Sequence, residues 1–227
     1  MSAQQTLTLP LPVQKYYGSW VRHPEVELAS SRVALWFVKG GLLWLSSTEV
    51  AGKSHFVQAL SKEHPQACFI DGEVGDGTSV QQLKSWLGSC QHYAYWILDL
   101  PSGELSPAKA YAVFHLIERA KEMNRSLMIS WRCQEGEMNP PELRSRLLMM
   151  ERVDMQAPIA DEDLHAVLRS VLQTMQWDMK ETVLPALLEY IPRDLAALLD
   201  AIKRLDEHSR QHQVKMNSAL AIRVLSS

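Results

Sequence analysis

The stretch SSTEVAGKSHF, residues 46–56, decides which fold the sequence encodes. The phosphate-binding loop pattern is G-x-x-x-x-G-K-S/T, and Gly52, Lys53 and Ser54 supply its second half. Ser47 stands where the first glycine is expected, which costs the loop some backbone freedom but removes no phosphate ligand. The stretch is therefore a candidate phosphate-binding loop, and the alternative is a surface turn that leads into a helix.

The flanking sequence supplies the strand and helix that such a loop needs. GLLWLSS before it is a short apolar run typical of a buried strand, and SHFVQALSKEH after it has helical spacing. Strand-like and helix-like segments then alternate, which predicts a parallel sheet covered by helices on both faces. Strands are predicted at 67–73, 93–100, 126–132 and 152–158, and helices at 25–39, 79–90 and 106–124.

After Asp161 the pattern changes to helices alone. Four segments show apolar residues at spacings of three and four: 161–176, 181–191, 192–210 and 215–225. The predicted fold class is α/β, a three-layer αβα domain of the phosphate-loop type followed by a small all-helical lid. The predicted domains are an extended N-terminal arm at 1–24, the α/β nucleotide-binding domain at 25–158 and the lid at 159–227.

Composition narrows the functional classes. The net charge of −3 and pI near 6.2 give no general attraction to nucleic acid, so we expect protein partners and at most weak or indirect DNA contact. The three cysteines, Cys68, Cys90 and Cys133, lack the spacing of a zinc site or disulfide framework. No apolar run is long enough for a bilayer and no signal peptide is recognisable, so a cytoplasmic protein without a membrane anchor is expected.

Two loop residues and one residue outside the loop would carry the nucleotide chemistry. Lys53 would reach the β- and γ-phosphates, and Ser54 would coordinate Mg²⁺. Asp99 ends the apolar strand YWILD and would support the same ion, although a strand-end carboxylate can also simply cap a turn. Leu100 and Pro101 follow it, so no second acid stands next in line. The sequence therefore predicts nucleotide binding without fast self-catalysed hydrolysis.

Two arginines are candidates for a phosphate contact, although their spacing alone favours ordinary surface roles. Arg146, in ELRSRLL, is either a surface helix residue or an arginine finger directed at a nucleotide on a neighbouring subunit. Arg193 follows Pro192 at the start of a predicted lid helix. It would pair with Asp194 or Glu189, or contact the phosphates from the lid.

The order of these elements resembles the AAA+ domains of the bacterial replication initiator DnaA and, more closely, the short Hda-like homologues that lack its DNA-binding domain. The resemblance spans most of the chain, through LTLPL, WLSSTEVAGKSH, the ILD strand end, LMIS, LRSRL, PIADEDL, IPRDLAALLDAIKRLDEHS and AIRVL. It implies ADP or ATP with Mg²⁺ as cofactors. The nucleotide-binding residues it implies are Ala51, Gly52, Lys53, Ser54, His55, Asp99 and the lid sensor Arg193.

The resemblance also implies partners. Hda-like proteins bind the replication sliding clamp through a Q-L-x-L-P-L element, and Leu7, Leu9, Pro10 and Leu11 match it, with Thr6 in the glutamine position. An extended peptide of this kind places leucines in an apolar cleft, and its proline limits the entropy lost on binding. Arg146 would be the finger acting in trans on ATP held by DnaA.

The resulting hypothesis is a negative regulator of replication initiation that binds ADP, docks on the clamp and stimulates hydrolysis of DnaA-bound ATP. The alternatives are an adaptor that recruits a replication partner without stimulating hydrolysis, and a free-standing ATPase, against which the missing second acid argues. A homodimer is compatible with the sequence. Which residue of Ser130-Trp131-Arg132 occupies the sensor position near the γ-phosphate stays open.

Overall fold

The computed structural model describes residues 20–73, 77–175, 177 and 182–226. Nearly all of the predicted N-terminal arm, including the clamp-binding-like residues at 7–11, lies outside the described residues. The predicted domain boundaries at residues 24 and 158 remain predictions.

A five-stranded sheet forms the centre of the described residues between 20 and 160. Its order is β2-β3-β4-β1-β5 and every neighbouring pair is parallel, so all five carboxyl ends lie along one edge. The predicted sheet with flanking helices is confirmed, and the strands are shorter than the apolar runs suggested. The strands are β1 Leu42–Ser46, β2 Ala67–Asp71, β3 Tyr95–Asp99, β4 Ser126–Ser130 and β5 Glu151–Asp154.

Nine α-helices are seen in the described part of the chain, besides short 3₁₀ turns at Pro24–Val26 and Glu135–Glu137. Five of them cover the sheet and four follow it. The helices are α1 Glu27–Lys39, α2 Lys53–Glu63, α3 Ser79–Cys90, α4 Pro107–Glu122, α5 Pro141–Leu148, α6 Asp161–Thr174, α7 Val183–Tyr190, α8 Leu195–His212 and α9 Ser218–Leu225.

The two faces of the sheet bury different clusters, because successive side chains of a strand point to opposite sides. In β1, Leu43 and Leu45 pack with Phe56 and Val57 of α2 on one side, which we call the α2 face. Trp44 points the other way, into a cluster built with α3, α4 and α5, which we call the α4 face. The near-continuous apolar strands follow from burial on both faces.

Side-chain caps explain where several helices begin. Thr78 and Gln81 form a capping box at the start of α3. Asp194 accepts hydrogen bonds from the backbone N–H groups of Ala196 and Ala197, so α8 begins at Leu195, later than the apolar pattern alone indicated.

Helices α6 to α9 share a core of their own. Leu164, Leu168, Leu198 and Leu205 are fully buried there. Val50, from the candidate loop, packs against the same cluster. The helical region therefore touches the loop directly.

Among the helices that the structure describes, none is both long enough and apolar enough to span a bilayer.

Candidate functional site

The candidate loop joins the carboxyl end of β1 to the amino end of α2. Gly52 occupies the position before α2 with φ of +74°, a conformation that residues with a Cβ rarely adopt. Among the described residues, no side chain caps the first turn of α2. Its backbone N–H groups and the positive end of its dipole therefore remain suited to an anion.

Ser47, in the place of the missing glycine, has a specific role in the loop. Its side chain is buried at 3% exposure, and its Oγ accepts a hydrogen bond from Lys53 Nζ at 2.7 Å. The same hydroxyl donates to the carbonyl oxygen of Glu49 at 2.7 Å. The serine therefore holds both the loop backbone and the lysine in place.

Lys53 lies among other charged groups. The pKa of Lys53 is lowered to about 8, mainly by burial and in addition by the nearby Arg132, while Asp99 and Cys133 act in the opposite direction. An ammonium that is partly desolvated beside a second cation is stabilised by an added anion. Lys53 therefore fits the predicted phosphate contact.

Asp99 lies beside the loop at the carboxyl end of β3. Its carboxylate accepts a hydrogen bond from Ser130 Oγ at 2.7 Å and a further one from Ser54. Burial raises the pKa of Asp99, and these two hydrogen bonds and the charge of Lys53 offset part of that effect. The structure thus brings together Lys53, Ser54 and Asp99, which the sequence placed in one site.

Asp71 is a site residue that the sequence reasoning missed. It ends β2 in direct register with Asp99 on β3, and Asp99 is in turn opposite Ser130 on β4. The charge of Asp71 contributes to the raised pKa of Asp99, which shows that the two carboxyl groups interact. Parallel strands place such ends side by side, so the acid that ends ACFID was the available signal.

Gly72 allows the ends of β2 and β3 to approach each other closely beside Asp71 and Asp99. Its backbone N–H donates to the carbonyl oxygen of Asp99 at 2.8 Å. A Cβ at Gly72 would lie 2.6 Å from that oxygen and 2.7 Å from Leu100 Cδ2, closer than real Cβ contacts. A side chain at this position would push the ends of β2 and β3 apart.

The structure shows which way the last residue of β4 and the two residues after it face. Ser130 is buried against Asp99, and Trp131 is fully buried with its indole N–H donated to the carbonyl oxygen of Gly103 at 3.1 Å. Arg132 Nε donates to Ser102 Oγ at 3.2 Å, and its charge acts on Lys53. Ser130 and Arg132 therefore both belong to the surroundings of the loop.

An apolar cavity of about 120 Å³ lies between the loop and the helical region. Ala51, Gly52 and His55 form its loop side, while Leu195 and Leu199 of α8 line it from the other. Trp20 closes it, with its ring 5.8 Å from that of His55. A planar base could lie here beside the phosphate-binding end of α2.

Arg193 is exposed, and its guanidinium donates to Asp161 Oδ2 at 2.9 Å. The sequence offered Asp194 and Glu189 as pairing partners, and this was wrong, because Asp194 caps α8 and Asp161 opens α6 beside it. The arginine lies at the start of the helix that lines the apolar cavity. Its predicted contact with phosphate stays a prediction.

Arg146 belongs to a separate surface on the α4 face. Its Nε donates to Glu118 Oε1 at 2.6 Å, and its guanidinium lies 5.8 Å from the centre of the Phe114 ring. The hydrogen bond from Arg146 is the main cause of the lowered pKa of Glu118. The structure therefore does not join Arg146 to the loop of its own chain.

The predicted magnesium ion requires oxygen ligands from the side chains near the loop. Across the described residues, no group of three or more His, Cys, Asp or Glu side chains could hold a metal by itself. Ser54 and Asp99 supply two oxygen ligands, so phosphate oxygens and water would have to complete the shell, as Mg²⁺ commonly requires. The residues present fit a nucleotide-bound ion.

Three solved structures show what this architecture is similar to. DnaA domain III from Thermotoga maritima superposes with a TM-score of 0.65 at 16% identity, covering 91% of this chain and 93% of that one. AMPPCP-bound DnaA from Aquifex aeolicus gives 0.55 at 14%, covering 81% and 62%. The Thermotoga maritima RuvB Holliday junction branch migration motor gives 0.56 at 12%, covering 91% and 69%.

The fold and the loop geometry together define the AAA+ type of α/β fold with a helical region after the sheet. Its arrangement in this chain is DnaA-like. No protein-family model and no curated protein matches the sequence.

Proposed function

We propose that this protein binds an adenine nucleotide at the Gly52-Lys53-Ser54 loop and regulates the initiation of DNA replication as an Hda-like homologue of DnaA. The observation that carries the first part is the convergence of Lys53, Ser54 and Asp99 at the amino end of α2. The second part is supported by the DnaA-like fold over most of the chain.

Within the site, each described group has a distinct role toward a nucleotide. The first-turn N–H groups of α2 and Lys53 would hold the phosphates, and the apolar cavity beside Ala51 and His55 would take the base. Ser54 and Asp99 would position Mg²⁺, which neutralises charge on the phosphate oxygens when bound. ADP is favoured as the resident nucleotide, since Leu100 stands where a second acid would follow Asp99.

The loop is tested by titrating Mg·ADP and Mg·ATP into the wild type and Lys53→Ala by calorimetry. Lys62→Ala is the matched control, because Lys62 is an exposed lysine in the last turn of the same helix. We expect affinity to fall at least about a hundredfold in Lys53→Ala, since a partly buried charge-assisted contact to phosphate is lost, and to stay unchanged in the control. Equal affinity in all three proteins would rule out the loop as the nucleotide site.

The regulatory part of the proposal assigns Arg146 to ATP held by DnaA. A cation supplied in trans stabilises the charge that develops on the transferring phosphoryl group, an effect worth several orders of magnitude in other nucleotide hydrolases. Residues 7–11 would bring the protein to the sliding clamp. Support for these roles comes from the sequence resemblance and from the position of Arg146 on a surface remote from its own loop.

Arg146→Ala tests this role in an assay of phosphate release from DnaA-bound ATP, with the clamp loaded on DNA. Arg144→Ala is the control, because Arg144 lies on the same helix and pairs with Glu135. We expect Arg146→Ala to lose stimulation at least about a thousandfold, while clamp and nucleotide binding are retained. A fully active Arg146→Ala protein would remove the trans arginine from the proposal.

The second candidate is an adaptor that recruits a replication partner without stimulating hydrolysis. The observation in its favour is the ion pair between Arg146 and Glu118, which already engages the guanidinium within the chain. Wild-type protein that binds DnaA or the clamp but leaves DnaA-bound ATP intact would establish the adaptor instead.

A further inference from the structure

A second, larger cavity of about 500 Å³ opens at the same edge of the sheet. We call it the arginine cavity, after Arg132 and Arg152 in its wall. Ser46 and Thr48 contribute from the start of the loop, and Ser102 and Glu137 from the segments after β3 and before α5. The lining is polar where the first cavity is apolar.

The arginine cavity lies on the α4 face, away from α2. The guanidinium of Arg152 lies 4.9 Å from the centre of the Trp44 ring, and Trp44 belongs to the cluster of the α4 face. Trp131, which precedes Arg132, is buried in the same cluster. The helix that would bind phosphate packs on the opposite face through Phe56 and Val57. Ser47 stands between the two sites, since it lines the arginine cavity and holds Lys53.

The charges around the arginine cavity favour an anion. Arg132 donates to the neutral hydroxyl of Ser102, and among the described residues no carboxylate pairs with it. Arg152 uses Nε and one terminal nitrogen to bind Asp154 Oδ1 at 3.1 and 2.8 Å, which leaves its other terminal nitrogen available. A guanidinium fork matches the oxygens of phosphate and carboxylate groups.

The charged residues of the lining that the structure describes carry a net positive charge, because Arg132 and Arg152 are accompanied by one carboxylate. Glu137 is the carboxylate in its wall, and its Oε2 accepts the backbone N–H of Gln134 at 2.7 Å. Cys133 also lines the cavity, and burial raises the pKa of its thiol to about 12, so it carries no negative charge near neutral pH. Lys53 adds a further positive charge beyond Ser47, as its mutual effects with Arg132 and Cys133 show.

We propose that the arginine cavity is a second oxyanion site, which binds a phosphate-sized anion through Arg132 and Arg152 independently of any ligand in the phosphate loop. The recognised chemistry is a tetrahedral oxyanion held by two guanidinium groups and the loop hydroxyls of Ser46 and Thr48. Inorganic phosphate is the simplest such anion, and the terminal phosphate of a nucleoside triphosphate bound at the loop is the competing occupant that the test must distinguish. This site does not depend on the proposed regulatory function.

Thermal unfolding of the full chain tests the proposal, with inorganic phosphate titrated against chloride at constant ionic strength. An anion that binds the folded state raises Tm in a saturable way. We expect this rise in the wild type, in Lys53→Ala and in ADP-saturated protein. Arg132→Gln and Arg152→Gln should bind phosphate at least about tenfold more weakly, because each loses a charge-assisted contact.

Arg119→Gln is the matched control, since Arg119 is an exposed arginine of α4 that pairs with Glu122. Each variant is compared with its own unfolding temperature in chloride, so a general loss of stability is separated from a loss of binding. Arg132 and Arg152 lie on different segments, which gives two independent variants.

Three outcomes would overturn the proposal. Phosphate that raises the wild-type Tm no more than chloride would show that the cavity binds no anion. Phosphate binding that disappears in Lys53→Ala but survives in Arg132→Gln would place the anion in the phosphate loop. Phosphate binding that survives saturation with ADP but is abolished by ATP would make the cavity the terminal-phosphate end of the nucleotide site.

Discussion

Lys53 and Arg146 are both cations predicted to contact phosphate, but they differ in burial and in the groups they pair with. Lys53 lies beside Asp99 in a partly buried site, where desolvation lowers its pKa to about 8. Arg146 lies on the surface with 31% of its side chain exposed, paired with Glu118. In a site completed within one chain, the ammonium of Lys53 stays partly desolvated, so a bound anion would stabilise its charge. A residue proposed to act on another chain must first exchange an internal partner for an external one.

The largest effect should come from Gly72, which lets β2 and β3 approach behind the loop site. Gly72→Ala places a Cβ 2.6 Å from the carbonyl oxygen of Asp99, so we expect a loss of about 2 to 3 kcal/mol in the free energy of unfolding. Nucleotide affinity should fall as well, because Asp71 and Asp99 lose their register. Urea denaturation and calorimetry measure the two effects.

Gly88→Ala is the matched control for this change. Gly88 lies inside α3 and a Cβ there meets nothing within 4 Å, so alanine should stabilise the protein by about 0.5 to 1 kcal/mol through helix propensity. Similar losses from both substitutions would contradict the tight packing inferred at Gly72.

Ser130→Ala should have the next largest effect, since it removes a hydrogen bond to a buried carboxylate. We expect a loss of about 1 to 3 kcal/mol in the free energy of unfolding and a further rise in the pKa of Asp99. Ser89→Ala, which removes an exposed helical hydroxyl, should change stability by less than about 0.5 kcal/mol. A neutral Ser130→Ala would show that Asp99 is solvated without its partner.

The affinity for ADP should depend on pH through Lys53. Its pKa in the free protein is lowered to about 8, and bound phosphate favours the charged form, so affinity should fall as the pH rises above about 8. The limit is tenfold per pH unit, because one proton is linked to binding. ADP itself is fully ionised there, so its own titration does not contribute.

Lys53→Arg provides the control for this pH profile, because arginine stays charged throughout the range. Its affinity should be lower at neutral pH, since the guanidinium does not fit the position of the ammonium, and flat between pH 7 and 9.5. Calorimetry across this range measures both proteins. A wild-type profile as flat as that of the variant would assign the phosphate contact to another group.

The smallest structural effect should come from Glu118→Gln on the Arg146 surface. A partly exposed surface ion pair contributes about 1 kcal/mol or less, so stability should hardly change. Stimulation of hydrolysis of DnaA-bound ATP should rise a few-fold, because Arg146 no longer has to leave a carboxylate. Glu122→Gln, which removes the partner of Arg119, should leave stimulation unchanged. A fall in stimulation would show that Glu118 positions the arginine for its task.

The sheet and the loop were predictable because their signals are local. A strand, a turn with glycine and a helix follow one another between residues 42 and 63, and the apolar runs of the other strands need burial on both faces. The lengths of the helices were less predictable, since capping residues such as Asp194 and Asn217 fix where helices begin.

The other residues of the site were hard to predict because they are far apart in the sequence. Asp71 and Asp99 are 28 positions apart, and they become neighbours because β2 pairs with β3 in one particular register. Arg132 and Arg152 approach each other because β4 and β5 lie on either side of β1. The partner of Arg193 was predicted wrongly for the same reason, since Asp161 lies on another helix.

Val50 forms an apolar contact between the loop and the helical region. It belongs to the loop that holds Lys53, and it packs against the core of α6 to α9. Regions joined by few apolar contacts can unfold independently of each other. A ligand that contacts both regions stabilises the contact between them by its binding free energy. We therefore expect the four carboxyl-terminal helices to melt ahead of the sheet in the free protein and together with it when the apolar cavity is filled.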